Sequence, residues 1–102
     1  MEAALFLNKN LFEIEFKGKP LELTPREYDL LEVLMQESQR VVGRVELLSR
    51  VWVERKPLIR VVDTYICRLR AKLQRVGHPG IGVARKRGYR LIATSNESSV
   101  AI

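Results

Sequence analysis

Arginine and lysine side chains are concentrated in the second half of the sequence, in a pattern suited to binding a polyanion. In the range 44–90 the only acidic residues are Glu46, Glu54 and Asp63, and the chain carries a formal net charge of +6. Each phosphate that a Lys or Arg side chain neutralises releases condensed counterions, which favours a nucleic acid as the polyanion. A solvated basic surface is the alternative interpretation.

The segment after Pro57 predicts a helix from Arg60 to about Val76 with two different faces. At about 100° per residue, its apolar side chains form one narrow stripe: Val62, Ile66, Leu69 and Leu73. The opposite face combines arginines with small or uncharged residues: Arg60, Thr64, Cys67, Arg68, Ala71 and Arg75. Small residues permit close approach to another surface, and arginine offers paired donors to guanine or phosphate. We therefore predict that this helix enters a nucleic-acid groove, with a solvated helix or one docked on an acidic protein as alternatives.

A second basic cluster, Arg85-Lys86-Arg87, precedes Gly88 between two short apolar segments. The segments 81–84 and 89–92 are typical of strands, so the cluster is predicted at the tip of a β-hairpin. A cationic loop beside a groove-binding helix can reach the DNA backbone or the minor groove. Tyr89 either packs on the core or offers its hydroxyl to a phosphate.

An N-terminal sheet and a first helix are predicted to support the basic elements. The alternation of Phe12, Ile14 and Phe16 with charged residues predicts a strand facing a core, paired with a segment at 21–23 and with a third strand at 5–7. The helix begins after Thr24, because Thr24, Pro25 and Glu27 have the spacing of a capping box with proline at the first position. Its inward positions are Tyr28, Leu31, Leu34 and Met35.

A second helix is predicted after Gly43. Its apolar positions are Val45, Leu48, Val51 and Trp52. Pro57 ends any continuation of it, and the segment 77–80 ends the basic helix.

Residue types needed for catalysis or metal binding are scarce. Cys67 and His78 are the only cysteine and histidine, which excludes an internal disulfide and a cysteine-based zinc site. No catalytic triad or glycine-rich phosphate loop occurs, and the carboxylates near the first helix are expected on its outer face. We therefore predict no enzyme activity, no cofactor and no metal. Arg68 beside an exposed Cys67 would favour the thiolate form, as suits a redox switch, but packing of a small residue against DNA suffices to explain this cysteine.

The sequence disfavours two further classes of protein: membrane or exported proteins, and RNA-binding proteins. The apolar runs are too short to cross a membrane and the N-terminus lacks the features of a signal peptide, so a cytoplasmic protein with no membrane partner is expected. The strands lack a pair of exposed aromatic residues on which RNA bases stack, because Phe12 and Phe16 are predicted to be core residues. Duplex DNA is therefore favoured over RNA.

Four motifs occur in a characteristic order along the chain. They are the segments 23–28 (Leu-Thr-Pro-Arg-Glu-Tyr), 47–52 (Leu-Leu-Ser-Arg-Val-Trp), 60–73 and 87–90 (Arg-Gly-Tyr-Arg). Together they resemble the DNA-binding effector domain of OmpR/PhoB-family response regulators, over nearly the whole chain to Leu91. The resemblance implies an α+β fold of the winged helix-turn-helix type, with an N-terminal antiparallel sheet, three helices and a C-terminal β-hairpin wing.

The resemblance also implies which residues contact DNA. With the third helix in the major groove and the wing at the minor groove, the expected contacts are Trp52, Arg60, Thr64, Tyr65, Cys67, Arg68, Arg70, Arg75, Arg85, Lys86, Arg87 and Tyr89. Trp52 matches an aromatic that lies near the DNA backbone, although a buried core tryptophan is equally consistent with the sequence. Thr64, Tyr65 and Cys67 differ from the usual residue types, which predicts a different base preference. Lys86 replaces a usual glycine, which predicts stronger attraction of the wing to phosphate.

Partners and domain limits follow from the same resemblance. It implies transcription regulation through direct-repeat DNA half-sites, a head-to-tail dimer on DNA, and a receiver domain on a longer parent protein. Contact with RNA polymerase is expected from Glu54, Arg55 and Lys56, in a connection at 53–58 that is shorter than usual. We predict a DNA-binding domain at 1–93, made of a sheet (1–23), three helices (24–76) and a wing (80–93), and a flexible tail at 94–102. The alternative is a winged helix that binds another protein.

Overall fold

The computed structural model of the protein describes residues 5–93, so the predicted tail at 94–102 lies outside the described residues. Three helices lie between an N-terminal sheet and a C-terminal hairpin. The strands and helices are β1 (Leu5–Asn8), β2 (Glu13–Phe16), β3 (Lys19–Pro20), α1 (Pro25–Gln36), α2 (Arg44–Val51), α3 (Arg60–Arg75), β4 (Ile81–Ala84) and β5 (Gly88–Leu91). One cluster of buried apolar side chains joins both sheets to the helices.

The N-terminal sheet has the antiparallel order β1-β2-β3, which confirms the strand predicted at 5–7. Ile14 and Phe16 are buried as predicted, but the inward position of Phe12 is wrong. Phe12 lies before β2 with a φ of 54°, and its side chain is 73% exposed. Because of this turn, Phe12 does not take part in the alternation of buried and exposed side chains along β2. The predicted position of the partner strand is also wrong: β3 comprises Lys19 and Pro20, which lie opposite Phe16 and Glu15, and the predicted segment at 21–23 follows it. The Leu21 amide donates to Ile14 O at 2.9 Å, so the segment still begins beside β2.

The capping box at the start of α1 is confirmed. The Glu27 amide donates to Thr24 Oγ1 at 3.3 Å, and the Thr24 amide donates to Glu27 Oε1 at 2.9 Å. The outward position of the Glu27 carboxylate is wrong, because its side chain is buried and Lys72 Nζ of α3 lies 2.6 Å from Oε1. Lys72 also donates to Glu22 O at 2.7 Å. A single carboxylate therefore caps the start of α1 and joins this helix to α3.

We expect Glu27→Gln to destabilise the fold by about 2 kcal/mol at neutral pH, because it leaves Lys72 without its buried partner and weakens the cap. Burial acts to raise the pKa of Glu27, but the hydrogen bonds from Lys72 and Thr24 outweigh it and hold the pKa below its ordinary value. A carboxyl with a lowered folded-state pKa stabilises the fold above its unfolded-state pKa and loses that effect as the pH falls through the folded value. Urea unfolding should therefore show a larger difference between wild type and variant at pH 7 than at pH 3. Glu22→Gln, which keeps the Glu22 carbonyl, is the control, and an equal difference at both pH values would contradict the assignment.

Helix α2 begins after Gly43 as predicted, but Val45 is not one of its core positions. Val45 is 67% exposed, whereas Leu47 is completely buried. The two residues differ by two positions, about 200° around a helix, so they lie on opposite faces. Helix α3 follows the prediction closely, since Val62, Ile66, Leu69 and Leu73 are its buried residues.

The predicted C-terminal hairpin is confirmed, with β4 and β5 antiparallel and Ile81 opposite Leu91. Strand β5 begins at Gly88, one residue earlier than predicted. A second partner holds β5 on its other side: the Val42 amide donates to Tyr89 O at 2.8 Å, and the Tyr89 amide donates to Val42 O at 2.9 Å. The hairpin is therefore attached to the connection between α1 and α2 by backbone hydrogen bonds.

Candidate nucleic-acid interface

The exposed face of α3 has the composition predicted for it. Arg60, Thr64, Cys67, Arg68, Ala71 and Arg75 are all exposed, on the side of the helix opposite its buried stripe. Cys67 is a free thiol within this face. Because the other uncharged residues there are threonine and alanine, the helix backbone can approach another surface closely while arginine side chains extend to either side.

Asp63, the only acidic residue of α3, joins the helix to two other elements. Asp63 Oδ1 accepts hydrogen bonds from the Tyr89 hydroxyl at 2.6 Å and from Arg44 Nε at 3.1 Å, and Oδ2 accepts from Arg44 Nη2 at 2.7 Å. Burial, reinforced by the hydrogen bond to Asp63, raises the pKa of Tyr89 to about 12. The Tyr89 hydroxyl therefore stays protonated and donates a hydrogen bond to Asp63. This arrangement corresponds to the alternative in which Tyr89 packs within the protein and does not offer its hydroxyl to a phosphate. This cluster was not predicted from the sequence. The one signal that could have indicated it is Asp63, a single acidic residue in the first turn of an otherwise basic helix.

The hairpin tip presents Arg85, Lys86 and Arg87 to solvent. Lys86 has a φ of 63°, a left-handed conformation in which glycine has no side-chain penalty. Lys86 stands where the resembled family usually has glycine. It therefore adds a positive charge to the hairpin tip, at the cost of holding a side chain in a left-handed backbone conformation. A groove of about 350 Å³ separates the tip from the starts of α2 and α3, and Arg44, Lys86 and Arg87 are among its lining residues.

Arg70, predicted to contact DNA, is bound to the hairpin. Its Nε donates to Ile81 O at 3.1 Å, and its side chain is half-buried at the side of α3 that faces β4. Together with the bond between Asp63 and Tyr89, this contact fixes the hairpin against one flank of α3. Arg70 thus orients the hairpin in addition to any contact that its remaining donors make.

The other flank of α3 carries aromatic residues. The Trp52 side chain is only 6% exposed, as in the alternative of a core tryptophan. Tyr65 of α3 lies edge-on to Trp52, with ring centroids 5.3 Å apart, and the Arg68 guanidinium lies 5.3 Å from the Tyr65 ring centre. Tyr65 and Arg68 line a groove of about 590 Å³ between α1, α3 and the end of α2. Of the predicted contact residues, Tyr65 and Trp52 therefore lie beside the exposed face rather than within it.

The connection between α2 and α3 leaves the predicted polymerase-contact residues accessible. Glu54, Arg55 and Lys56 are exposed, and the apolar side chains of Val53 and Leu58 on either side of them are 71% and 69% exposed. Within residues 5–93 no group of three or more His, Cys, Asp or Glu side chains is arranged to hold a metal ion. The helices described here are also too short or too polar to cross a membrane.

Sequence comparisons identify relatives among transcriptional regulators. Residues 18–91 match the family model described as "Transcriptional regulatory protein, C terminal". RcaC of Microchaete diplosiphon is 42% identical over 96 residues, which are 91% of this chain and 15% of RcaC. CpxR of Escherichia coli K12 is 40% identical over 95 residues, which are 90% of this chain and 41% of CpxR. The chain therefore spans less than half the length of either relative.

Solved structures of two DNA-binding domains have a similar fold. The DNA-binding domain of E. coli CpxR superimposes with a TM-score of 0.75 at 37% identity, covering 93% of this chain and 97% of that one. The DNA-binding domain of AdeR, solved in complex with an intercistronic region, gives a TM-score of 0.81 and covers 92% of this chain and 99% of that one. At 24% identity, the likeness to AdeR shows a shared fold.

Proposed function

The chain belongs to the OmpR/PhoB-type family of C-terminal DNA-binding domains of transcriptional regulators, and we propose that it regulates transcription by binding a specific duplex sequence. The resemblance and the winged helix-turn-helix fold predicted from the sequence are both confirmed, and the family is not one of enzymes. Within that fold α3 is the recognition helix and the β4–β5 hairpin is the wing.

The observation that carries the proposal is the exposed face of α3 together with the wing fixed beside it. The face offers Arg60, Arg68 and Arg75 with small residues between them, and it contains no acidic side chain. The helix's one acid, Asp63, lies to the side and is occupied by Arg44 and Tyr89. A major groove admits a helix of this kind, and phosphates flank the groove where the wing cations would lie.

Individual roles follow from where the side chains lie. We assign base-edge and phosphate contacts to the exposed face, with Arg60, Arg68 and Arg75 as charged donors and Thr64 and Cys67 as close uncharged contacts. Arg85, Lys86 and Arg87 bind the DNA backbone or enter the minor groove. Tyr89, Arg70 and Trp52 orient these elements from within the protein.

The proposal extends to the partners that the resemblance implies. Two copies bind direct-repeat half-sites head to tail, and the exposed connection with Glu54, Arg55 and Lys56 contacts RNA polymerase. A receiver domain on a longer parent protein supplies control, as the resemblance to response regulators implies, and the chain spans only 41% of CpxR. The protein acts in the cytoplasm, where duplex DNA with these half-sites is accessible.

Selection of bound duplexes from a random library tests the proposal. We expect two spaced direct repeats to be recovered, and we expect affinity for the selected duplex to fall steeply with salt, with a slope of about −0.9 in log K against log salt for each phosphate contacted. A shuffled duplex of equal length is the control for sequence-independent binding. Recovery of no preferred sequence, or binding insensitive to salt, would instead support a winged helix that binds protein.

A further inference from the structure

Four side chains from three segments form a continuous stack at one flank of the recognition helix. The Arg26 guanidinium lies 5.5 Å from the Trp52 ring centre, Trp52 packs edge-on against Tyr65 at 5.3 Å, and the Arg68 guanidinium lies 5.3 Å from the Tyr65 ring centre. The stack thus leads from α1, through the end of α2, to the exposed face of α3. We name it the Arg26–Arg68 stack.

The inner end of the stack is held by burial of Trp52 and by a hydrogen bond from Arg26. Trp52 is 6% exposed, and Arg26 Nη1 donates to Val51 O at 2.7 Å, which holds the Arg26 guanidinium over the indole. Tyr65 is half-buried, and its ring packs edge-on against this buried tryptophan. Arg68 is exposed, and its guanidinium lies over the Tyr65 ring.

The outer end has competing partners. Asp29 and Glu54 line the same groove as Arg68, and their carboxylates would attract a freely moving guanidinium away from DNA. Within residues 5–93, however, Arg68 forms no ion pair, and its contact with the Tyr65 ring is the interaction that defines its direction. An arginine held over an aromatic ring loses less rotamer freedom on binding than one that is free.

We propose that Tyr65 is a positioning residue that holds Arg68 in the orientation used to recognise DNA, and so sets the specificity at the position that Arg68 contacts. The inference rests on the proposed function, because it needs Arg68 to face DNA. It assigns a role to one of the three helix positions whose residue types differ from the resembled family. The role requires the Tyr65 ring and not its hydroxyl.

Binding measurements with a double-mutant cycle test the proposal. The probe is the duplex selected by the wild-type protein, together with duplexes carrying single base-pair changes, and the variants are Tyr65→Phe, Tyr65→Leu, Arg68→Ala and Tyr65→Leu with Arg68→Ala. We expect Tyr65→Phe to bind within about twofold of wild type, because it keeps the ring. We expect Tyr65→Leu to bind roughly three- to tenfold more weakly and to discriminate less at one base-pair position. The double variant should bind no more weakly than Arg68→Ala alone.

Each contrary result overturns a defined part of the proposal. Weak binding by Tyr65→Phe would mean that the hydroxyl itself contacts DNA, and additive losses in the double variant would mean that Tyr65 acts independently of Arg68. Thermal unfolding of each variant separates these effects from loss of the fold.

A measurement on the free protein tests the Arg26–Arg68 stack independently of the proposed function. In the NMR spectrum of the free protein, ring-current shifts of the Arg68 side-chain protons should be present in wild type and in Tyr65→Phe and absent in Tyr65→Leu. Unshifted Arg68 protons in wild type would overturn the positioning role even if the duplex is bound selectively. Failure of wild type to select any duplex would overturn the proposed function, whatever the shifts show.

Discussion

Replacing Gly88 with alanine is expected to destabilise the protein by about 3 kcal/mol or more and to lower its thermal midpoint by about 10 °C or more. Gly88 has a φ of 144°, a conformation that side chains rarely adopt. A Cβ atom at this position would overlap Val42 O and approach the Gly43 Cα to 2.8 Å. These are backbone atoms, so no side-chain rotation can relieve the overlap.

The overlap falls where the wing is attached to the rest of the domain. Val42 exchanges two backbone hydrogen bonds with Tyr89, and the Tyr89 hydroxyl bonds to Asp63 of the recognition helix. Moving Gly88 away from Val42 would therefore break the backbone bridge and displace the wing from α3. We expect amide hydrogen exchange at Val42 and Tyr89 to accelerate in the variant more than exchange in the buried part of α1.

Two other glycines provide matched controls. Gly18 has a φ of 79° and nothing within 4 Å of an added Cβ, so Gly18→Ala should show the conformational penalty alone, about 1 kcal/mol. Gly82 lies on the wing strand β4, where the nearest atom would be 3.5 Å away, so Gly82→Ala should change stability by less than about 0.5 kcal/mol. A Gly88→Ala variant no less stable than Gly18→Ala would show that the wing does not depend on close backbone packing.

Removing the three wing cations is expected to weaken binding to the selected duplex roughly hundredfold at physiological salt. The variant is Arg85→Gln with Lys86→Gln and Arg87→Gln. All three side chains are exposed, and none forms an ion pair within residues 5–93, so their charges are available to phosphates. If each contacts one phosphate, the slope of log K against log salt should become shallower by about 2 to 3. Filter binding or fluorescence anisotropy over a range of salt concentrations measures both quantities.

A charge-matched control separates wing contact from net charge. Lys9→Gln with Lys17→Gln and Lys19→Gln removes the same charge from the N-terminal sheet, where the three side chains are likewise exposed. This control should bind within about threefold of wild type, because exposed charges farther from the DNA than a Debye length are largely screened. Equal losses in the two triple variants would indicate attraction by net charge and would contradict a specific role for the wing.

Local features of the chain could be predicted from the sequence because they depend on neighbours a few residues apart. The capping box at Thr24 and Glu27, the stripe of α3 and the basic hairpin tip all follow from spacing along one element. The two misplaced apolar residues show the limit of that approach. Phe12 continues a strand pattern into a turn, and Val45 is one of several apolar residues on a two-turn helix whose buried face the pattern alone does not define.

By itself, the sequence determined the order of elements, the face of α3 that carries arginines and the family to which the chain is similar. Only the tertiary structure decided that Asp63 holds the wing through Tyr89, that Glu27 is buried against Lys72, and that Tyr65 connects Trp52 to Arg68. The physical reason is that these partners are separated by many residues or belong to different elements. Periodicity specifies which side of a helix is buried, whereas the residue that meets it depends on how two elements pack, and that is set by the shape of the whole core.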